Sequence, residues 1–468
     1  MYKEKIEKYI DEHKEEITED ILKLVRIKSD KGIPEKGMPY GQEPAQALLA
    51  ALQRAADFGF KTVNHENYVG TVDMNDLPPC LDILAHLDVV PAADDWKVTQ
   101  PYEPVVKDGK LYGRGAIDDK GPAICALYAM RAIKDLKIPL KKNVRLILGT
   151  DEECGSSDLE YYYKKEKEAP MAFSPDADFP LINTEKGGFR STFQADFQEN
   201  KNTPYILAIK SGIKQNVIPD TADAEIIGIT KERIQDLVMR TQKETGVIFS
   251  TEICDDRIYI RAKGTGGHAA SPEEGNNAIT ALLQLLSNLP CAPSKGFSCI
   301  KELHKIFPHG DWDGKAAGIA QEDKISGKLT ISLNILNYSP EKLHAAFDSR
   351  VPICANDKNM RQVLMKRGAE AGLQLADDKM YPAHHVQEDS KLVQTLLRCY
   401  EMYSGNPGSC KAIGGGTYVH NLKNGVAFGC STQGTNYHMH GADEYAILEE
   451  LYMSAKIFAQ AIIELCGV

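Results

Sequence analysis

The chain has 468 residues, of which 43% are hydrophobic and 26% charged, and its formal net charge is −11. At about 150 residues per domain, this length predicts two to three globular domains. An acidic chain without any Lys/Arg-rich block lacks the basic surface of a nucleic-acid binder, so we expect no nucleic-acid partner.

The N-terminal sequence and the cysteines indicate a cytoplasmic protein. Residues 1–10 alternate charged and apolar residues, without the apolar stretch of a secretory signal. No segment reaches the ~18 uninterrupted apolar residues of a membrane helix, so we expect no membrane partner. The eleven cysteines are scattered without CxxC spacing, which favours free thiols in a reducing compartment.

Helices and strands alternate in the first third of the chain. Apolar residues recur at helical spacing in the predicted helices, and Pro122 stands in the first turn of one of them, where prolines are favoured. This alternation indicates an α/β domain with a largely parallel sheet. The predicted elements are helices over 1–30, 43–57 and 120–136, and strands over 61–64, 68–73, 81–85 and 144–148.

The pattern changes near residue 186 and returns near 385. Between these points more polar strands (205–210, 222–229, 257–262) accompany helices (231–245, 275–288), and a Gly/Pro-rich connection (290–327) precedes a strand–helix–strand–helix order (328–384). A helix (389–403), a strand (425–429) and a final helix (443–466) follow. We therefore predict a discontinuous α/β domain, 1–185 plus 385–468, interrupted by an α+β domain of two related halves over 186–384.

Four segments place His and carboxylate side chains at the ends of probable strands, and a fifth precedes the last helix. Strand ends gather at one edge of an open α/β sheet, and these side chains suit zinc, manganese or cobalt. Each segment alone has a structural alternative: a surface pair, a helix N-cap, a solvated charge run or a turn. Their recurrence favours a metal site. The segments are Ala85–Asp88, Asp118–Gly121, Asp151–Glu153, Ser174–Asp178 and His438–Glu444.

These segments resemble the M20 family of dinuclear zinc peptidases and its PepV-type bacterial dipeptidases. The resemblance implies a catalytic domain that binds two divalent metal ions, zinc first with manganese or cobalt as substitutes, and an inserted lid domain. The matching stretches are AHLDVVPAADDW, GRGAIDDKGP, GTDEECGSSD, FSPDADFPLINTEKG, GTGGHAASPEEGNNAI, GGGTY and HMHGADEY, spread over residues 85–445.

The resemblance assigns roles in the catalytic domain residue by residue. One metal ion would be held by His86 and Asp176 and the other by Glu153 and His440, with Asp118 bridging both. His438 is an alternative ligand to His440. His440 is favoured because its spacing to Asp443 and Glu444 is that of the family motif. A cis peptide bond is implied between Asp118 and Asp119.

Two further carboxylates have implied roles in catalysis. Asp88 would stand behind His86 and orient its imidazole, as carboxylates behind ligating histidines commonly do. Glu152 would be the general base that takes a proton from the water between the two metals. A solvated charge pair remains the alternative for Glu152 and its neighbour.

In the inserted domain, the resemblance implies substrate contacts. His268 would stabilise the oxyanion, Asn216 and Arg350 would bind the substrate carboxylate, and the loop of Gly414, Gly415 and Gly416 would lie against the substrate. The structural alternatives are a histidine in a glycine turn, a strand-edge arginine and a tight turn.

The resemblance therefore predicts a metallo-dipeptidase that cleaves short peptides, dipeptides above all. It also implies a monomer, since the doubled lid would stand in for a partner subunit. An N-acyl amino acid deacylase of the same family is the alternative enzyme. A non-catalytic metal-binding interaction protein is the alternative of another class.

Overall fold

The computed structural model describes residues 2–198 and 202–467, and the chain divides into two compact units. The first unit consists of residues 1–184, 385–411 and 416–468, and the second of residues 185–384 and 412–415. This division differs from the predicted boundaries at residue 185 and at residues 412–415, all of which we expected in the first unit. Residues 412–415 join the second unit because Lys186 N–H donates to the Ile413 carbonyl at 2.9 Å and Arg350 Nη1 donates to the Gly414 carbonyl at 2.7 Å.

The first segment of the chain alternates helices and strands as predicted, with one correction. The single helix expected over 1–30 is two helices, because the backbone at His13 leaves the helical region (φ −110°, ψ 7°). The elements are α1 (Lys3–Glu12), α2 (Lys14–Val25), α3 (Gln42–Asp57), β1 (Lys61–His65), β2 (Val69–Asp73), β3 (Pro79–His86), β4 (Val105–Lys107), β5 (Lys110–Tyr112), α4 (Lys120–Asp135), β6 (Asn143–Gly149), α5 (Ser157–Tyr163), β7 (Met171–Ser174), β8 (Ala177–Phe179) and β9 (Leu181–Glu185).

The inserted segment contains mainly antiparallel strands. One helix that we did not predict, α8, lies in the Gly/Pro-rich connection over 290–327; the Ser294 hydroxyl caps it by accepting from Phe297 N–H. The elements are β10 (Gly187–Asp196), β11 (Tyr205–Ser211), β12 (Val217–Ile218), β13 (Thr221–Ile227), α6 (Lys231–Thr245), β14 (Ile248–Cys254), β15 (Arg257–Lys263), β16 (Gly267–His268), α7 (Ala278–Ser287), α8 (Lys295–Ile306), β17 (Glu322–Asp323), β18 (Gly327–Lys328), β19 (Thr330–Ser339), β20 (Lys342–Val351), α9 (Arg361–Glu370) and β21 (Gln374–Leu375).

The last segment returns the chain to the first unit. Its two long helices were both predicted, although the final one begins five residues later than expected. The elements are β22 (His384–His385), α10 (Lys391–Ser404), β23 (Cys410–Ile413), β24 (Gly425–Ala427), β25 (Cys430–Thr432), β26 (Tyr445–Ile447) and α11 (Leu448–Cys466).

A mixed sheet in the order β1-β2-β6-β3-β7-β24-β9 forms the centre of the first unit. The four middle strands are parallel to one another, and β1, β2 and β9 pair antiparallel. Residues 81–86 of β3 and all residues of β6 are buried, as expected of parallel strands covered on both faces. The predicted α/β class with a parallel central sheet is therefore confirmed, and β3, β6 and β7 end at the same edge.

The apolar core of the first unit lies between this sheet and its helices. Most residues of α4 and α11 are buried, and these two helices pack against each other. Among the described residues, no helix is long and apolar enough to cross a membrane.

The second unit contains an antiparallel sheet in the order β14-β15-β13-β11-β19-β20-β10-β21. Each half has four strands, and in each a helix precedes the outermost strand: α6 before β14 and α9 before β21. Helices α7 and α8 pack together within the apolar core of this unit. The order predicted over 328–384 is wrong, because β19 and β20 form a hairpin before α9.

Candidate metal centre

Three predicted ligands follow parallel strands of the first unit. His86 is the last residue of β3, Glu153 lies in the short 3₁₀ turn after β6, and Asp176 comes two residues after β7. The expectation that the Asp118 segment also ends a strand is wrong, whereas the segment of His440 precedes the last helix as expected. Asp118 lies in the turn before α4, and His440 lies in the loop between β25 and β26. The sheet edge therefore positions part of the site, and loops from elsewhere complete it.

The five residues form two groups that share Asp118. His86, Asp118 and Asp176 make one group and Asp118, Glu153 and His440 the other, with the ligand atoms of each group within 4.8 Å of one another. His86 Nε2 lies 3.0 Å from Asp118 Oδ1, whereas His440 Nε2 lies 2.9 Å from Asp118 Oδ2. The two oxygens of one carboxylate thus face different groups.

The remaining distances complete each group. His86 Nε2 lies 3.6 Å from Asp176 Oδ2, and His440 Nε2 lies 3.3 Å from Glu153 Oε1. His438, the rival ligand, instead directs Nδ1 to the Ala442 carbonyl at 3.2 Å. Each group therefore offers one imidazole and two carboxylates.

The donor set fits divalent cations. His86 Nε2 and Asp118 Oδ1 are buried, and neither has a hydrogen-bond partner among the described residues. A buried polar atom without a partner costs free energy, and a cation held by both atoms removes that cost. Imidazole nitrogen and carboxylate oxygen are ligands that zinc, manganese and cobalt accept.

The charges of the site respond to burial and to one another. Burial, reinforced by the neighbouring carboxylates, raises the pKa of Glu153 and Asp176 above their ordinary values. Burial acts on Asp118 in the same direction, but the adjacent imidazoles of His440 and His86 hold its pKa well below the usual range. Hydrogen bonds to Asp118 and Glu153 raise the pKa of His440 to about 11. In the absence of a cation, the carboxylates therefore hold a proton on the imidazole.

Asp88 supports the site differently from the prediction. His86 Nδ1 lies 2.9 Å from the Asp88 backbone carbonyl, whereas the Asp88 carboxylate lies 3.5 Å from it. That carboxylate instead accepts the backbone N–H groups of Glu152 and Glu153, each at 3.1 Å. The main chain of Asp88 thus orients the imidazole, and its side chain fixes the turn that carries the two glutamates.

Asp119 and Glu152 flank the two groups. The Asp118–Asp119 peptide bond is cis, as the resemblance implied. Asp119 Oδ2 accepts the backbone N–H of His86 at 3.0 Å. Glu152 is half-buried, and burial together with nearby Asp176, Glu153 and Asp88 raises its pKa well above the ordinary value.

A buried ion pair that the sequence reasoning missed joins the two loops of the site. Arg114 Nη1 donates to Glu444, whose side chain is fully buried. Glu444 Oε1 also accepts the Gly115 N–H at 2.9 Å, and Arg114 Nη2 donates to the Gly441 carbonyl at 3.1 Å. The pair therefore holds the loop of Asp118 against that of His440. Arg114 and Glu444 both stand inside the matching motifs, GRGAIDDKGP and HMHGADEY. The sequence signal for the pair was therefore a charged residue of each sign close to a predicted ligand.

The predicted substrate contacts lie in the second unit, where the structure brings His268, Asn216 and Arg350 into one region. Ala269 N–H donates to the Asn216 carbonyl at 3.0 Å, which joins the loop of Asn216 to that of His268. The Gly414 carbonyl accepts from Arg350, and a Cβ placed on Gly414 would lie only 3.2 Å from Ala270 Cβ. Gly414 therefore lies close to both Arg350 and the loop of His268.

The glycine loop is divided between the two units. Gly414 and Gly415 belong to the second unit and Gly416 to the first.

A hydrogen bond to one ring nitrogen fixes the tautomer of a neutral His268. Ala270 N–H donates to His268 Nδ1 at 3.1 Å. A neutral imidazole with an accepting Nδ1 carries its proton on Nε2, which leaves that nitrogen as a donor.

Two groups of possible ligands that share one carboxylate, with three of the five residues at the carboxyl edge of a parallel sheet, have the arrangement of a candidate dinuclear metal site. The model of peptidase family M20/M25/M40 matches residues 83–464, and the chain belongs to this family. The expectation of an enzyme, a metallopeptidase of the M20 type, is thereby confirmed.

Similar proteins include two bacterial relatives that match nearly the whole chain. One is named "Putative dipeptidase YtjP" from Bacillus subtilis (strain 168); it is 34% identical over 460 residues, covering 97% of both chains. The other is the Beta-Ala-Xaa dipeptidase of Lactobacillus delbrueckii subsp. lactis, 34% identical over 460 residues, covering 97% of this chain and 96% of the relative.

Solved structures share the fold at low sequence identity. Human carnosine dipeptidase 1 aligns with a TM-score of 0.62 at 16% identity, over 100% of this chain and 99% of that one. Aminoacylhistidine dipeptidase from Vibrio alginolyticus aligns with a TM-score of 0.60 at 12% identity, over 96% of each chain. These likenesses establish the architecture of the chain.

The shared carboxylate predicts how metal content changes with mutation. We expect two divalent ions per wild-type chain, one in His440→Ala and none in Asp118→Ala, because only Asp118 belongs to both groups. Elemental analysis after equilibrium dialysis against zinc or manganese measures the stoichiometry. His438→Ala is the matched control and should keep both ions; retention of two ions by Asp118→Ala would contradict the shared site.

The protonated His440 predicts a pH dependence for the chelator-treated protein. The folded-state pKa of about 11 exceeds the ordinary value of 6.5, so the imidazolium stabilises the folded state fully below pH 6.5. This stabilisation is lost as the pH rises from 6.5 to 11. Urea unfolding of wild type and His440→Ala in chelator should show a stability difference that narrows over this range. A difference that stays constant or grows would show that His440 is not protonated there.

Proposed function

We propose that the protein is a dinuclear metal-dependent dipeptidase that hydrolyses the peptide bond of short peptides. The observation that carries the proposal is the pair of ligand groups joined by the two oxygens of Asp118. Membership of the M20 peptidase family and the relatives named as dipeptidases support the same reaction class.

The proposed ligands follow from the two groups. His86 and Asp176 would hold one ion, Glu153 and His440 the other, and Asp118 both; zinc is the first expectation, with manganese or cobalt as alternatives. When bound, two such ions supply Lewis acidity, which polarises a peptide carbonyl and makes water acidic enough to be a nucleophile near neutral pH. The three ligating carboxylates would balance most of the charge of the two ions.

Glu152 is the proposed general base. It would accept a proton from the attacking water and deliver it to the leaving amine, which needs a carboxylate that is positioned but not ligating. The Asp88 carboxylate fixes the backbone of both Glu152 and Glu153, so the two neighbouring side chains leave the turn from defined positions. The raised pKa of Glu152 supports a role in proton transfer.

Residues of the second unit are proposed to bind the substrate. Arg350 and Asn216 would hold its C-terminal carboxylate, since a guanidinium binds a carboxylate through two parallel N–H donors. His268 would donate from Nε2 to the oxyanion that forms at the scissile carbonyl. The loop of Gly414, Gly415 and Gly416 would lie along the peptide backbone.

Recognition of a free carboxylate would favour short peptides over long chains. A binding site that requires the free C-terminal carboxylate would favour peptides in which that carboxylate is close in sequence to the bond that is cut. The relative named for β-alanyl dipeptides makes such peptides part of the substrate panel. We further propose that the enzyme acts as a monomer, since the second unit already contains both four-strand halves.

Neighbouring glutamates give a matched test of the base. We expect Glu152→Gln to lose about 10²- to 10⁴-fold in kcat while it retains two ions, because only the proton acceptor is removed. Glu153→Gln should instead lose metal together with activity. Dipeptide hydrolysis and elemental analysis on the same samples separate the two effects. A Glu152→Gln enzyme with full activity would show that another group is the base.

The N-terminal end of the substrate tests the reaction class. With both ions bound, the enzyme should cleave dipeptides such as Ala-Leu and β-alanyl peptides much faster than N-acetylated amino acids. Steady-state kcat/KM for each compound measures the preference. Faster cleavage of the acetylated compounds would make the protein an N-acyl amino acid deacylase, and no turnover of either by the metal-loaded protein would favour a non-catalytic role.

A further inference from the structure

The environment of Arg350 contains a second arginine that the sequence analysis did not consider. Arg350 and Asp348 stand two residues apart in β20 and therefore project to the same face of the sheet. Arg190 of β10 lies directly opposite Asp348 in the antiparallel register. Cross-strand partners have side chains about 5 Å apart, so the three charges are neighbours by construction of the sheet. We refer to these three residues as the Arg190–Asp348–Arg350 cluster.

Asp348 holds Arg350 by a two-point ion pair. Arg350 Nε donates to Asp348 Oδ1 at 3.0 Å and Arg350 Nη2 donates to Asp348 Oδ2 at 3.1 Å. The third bond runs from Arg350 Nη1 to the Gly414 carbonyl at 2.7 Å. A guanidinium has five N–H groups, so these three bonds leave one N–H on each terminal nitrogen. A pair of N–H donors on adjacent nitrogens matches a carboxylate.

This arrangement raises an electrostatic difficulty for anion binding. Asp348 is fully buried and only 6% of the Arg350 side chain is exposed, so the two form a desolvated pair with no net charge. A neutral pair attracts a carboxylate through its dipole alone. Arg190 changes this, because its Nε donates to Asp348 Oδ2 at 2.9 Å and brings a second positive charge to the same carboxylate. One negative and two positive groups give the cluster a net charge of +1.

We propose that Arg190 is a specificity-determining residue, which restores the net positive charge that lets Arg350 bind the C-terminal carboxylate of the peptide. Asp348 is the positioning residue between the two arginines. This inference rests on the proposed dipeptidase function and adds to it the origin of the preference for a free carboxylate.

The test compares a dipeptide with its C-terminal amide, which has the same shape without the negative charge. The variant is Arg190→Gln, which should fold because 42% of the Arg190 side chain is exposed and the Arg350–Asp348 pair remains intact. We expect KM for the dipeptide to rise about three- to tenfold, with kcat changed less than about twofold and KM for the amide unchanged. Such a split marks lost ground-state binding of the carboxylate.

Two further variants control for structure and for charge. Arg190→Lys keeps the charge and should return KM for the dipeptide to within about twofold of wild type. Arg261→Gln removes another exposed arginine of the same sheet, which pairs with Asp223 at 2.7 and 3.0 Å, and should leave both substrates unaffected. Thermal melting of every variant shows that each is folded.

The outcomes separate this inference from the proposed function. If wild type cleaves the dipeptide and Arg190→Gln has an unchanged KM, or an equal rise for dipeptide and amide, the role of Arg190 is overturned while the function stands. Equal KM for the two substrates in wild type would overturn carboxylate recognition itself. If metal-loaded wild type cleaves no dipeptide, the proposed function fails and this inference fails with it.

Discussion

Mutual repulsion of buried carboxylates is the constraint on which the first unit depends. Asp118, Glu153 and Asp176 converge on two imidazoles, and ionised groups that are partly or fully buried are costly unless opposite charge compensates them. The raised pKa of Glu153 and Asp176 and the proton held on His440 are two consequences of that cost in the metal-free chain. Divalent cations bound between these side chains would supply the compensating positive charge, so that neither raised carboxyl pKa values nor a proton on His440 would be needed.

Other buried carboxylates nearby show how the fold satisfies charge where no cation is needed. Asp88 accepts two backbone N–H groups, and Asp158 accepts those of Thr150 and Asp151 together with the Tyr418 hydroxyl. Glu444 has Arg114 and backbone donors. These carboxylates are occupied by protein donors, whereas the ligand atoms His86 Nε2 and Asp118 Oδ1 have no hydrogen-bond partner among the described residues. The carboxylates of the scaffold are thus held by protein donors, whereas those of the candidate site face one another and two imidazoles.

The strands of the central sheet and the candidate metal ligands could be predicted from short stretches of sequence. The parallel strands read as continuous apolar runs because both of their faces are buried, and the five proposed ligand residues stand in compact motifs that resemble a known family. Partners distant in sequence were not predictable in this way. Arg114 and Glu444 are 330 residues apart, and the use of the Asp88 carboxylate depends on a turn more than 60 residues away. Helix α8 was missed because the Gly and Pro residues around it outweighed its capping serine.

In the second unit, buried positive charge is compensated by a carboxylate, the reverse of the arrangement in the first unit. In its antiparallel sheet, the period of two places Asp348 and Arg350 on one face, and the register adds Arg190 across the strand pair. A buried arginine with a single acidic partner would be neutralised, so a net positive charge at Arg350 requires a further cation in contact with the same carboxylate. The first unit concentrates negative charge where cations would bind, and the second retains positive charge where an anion would bind.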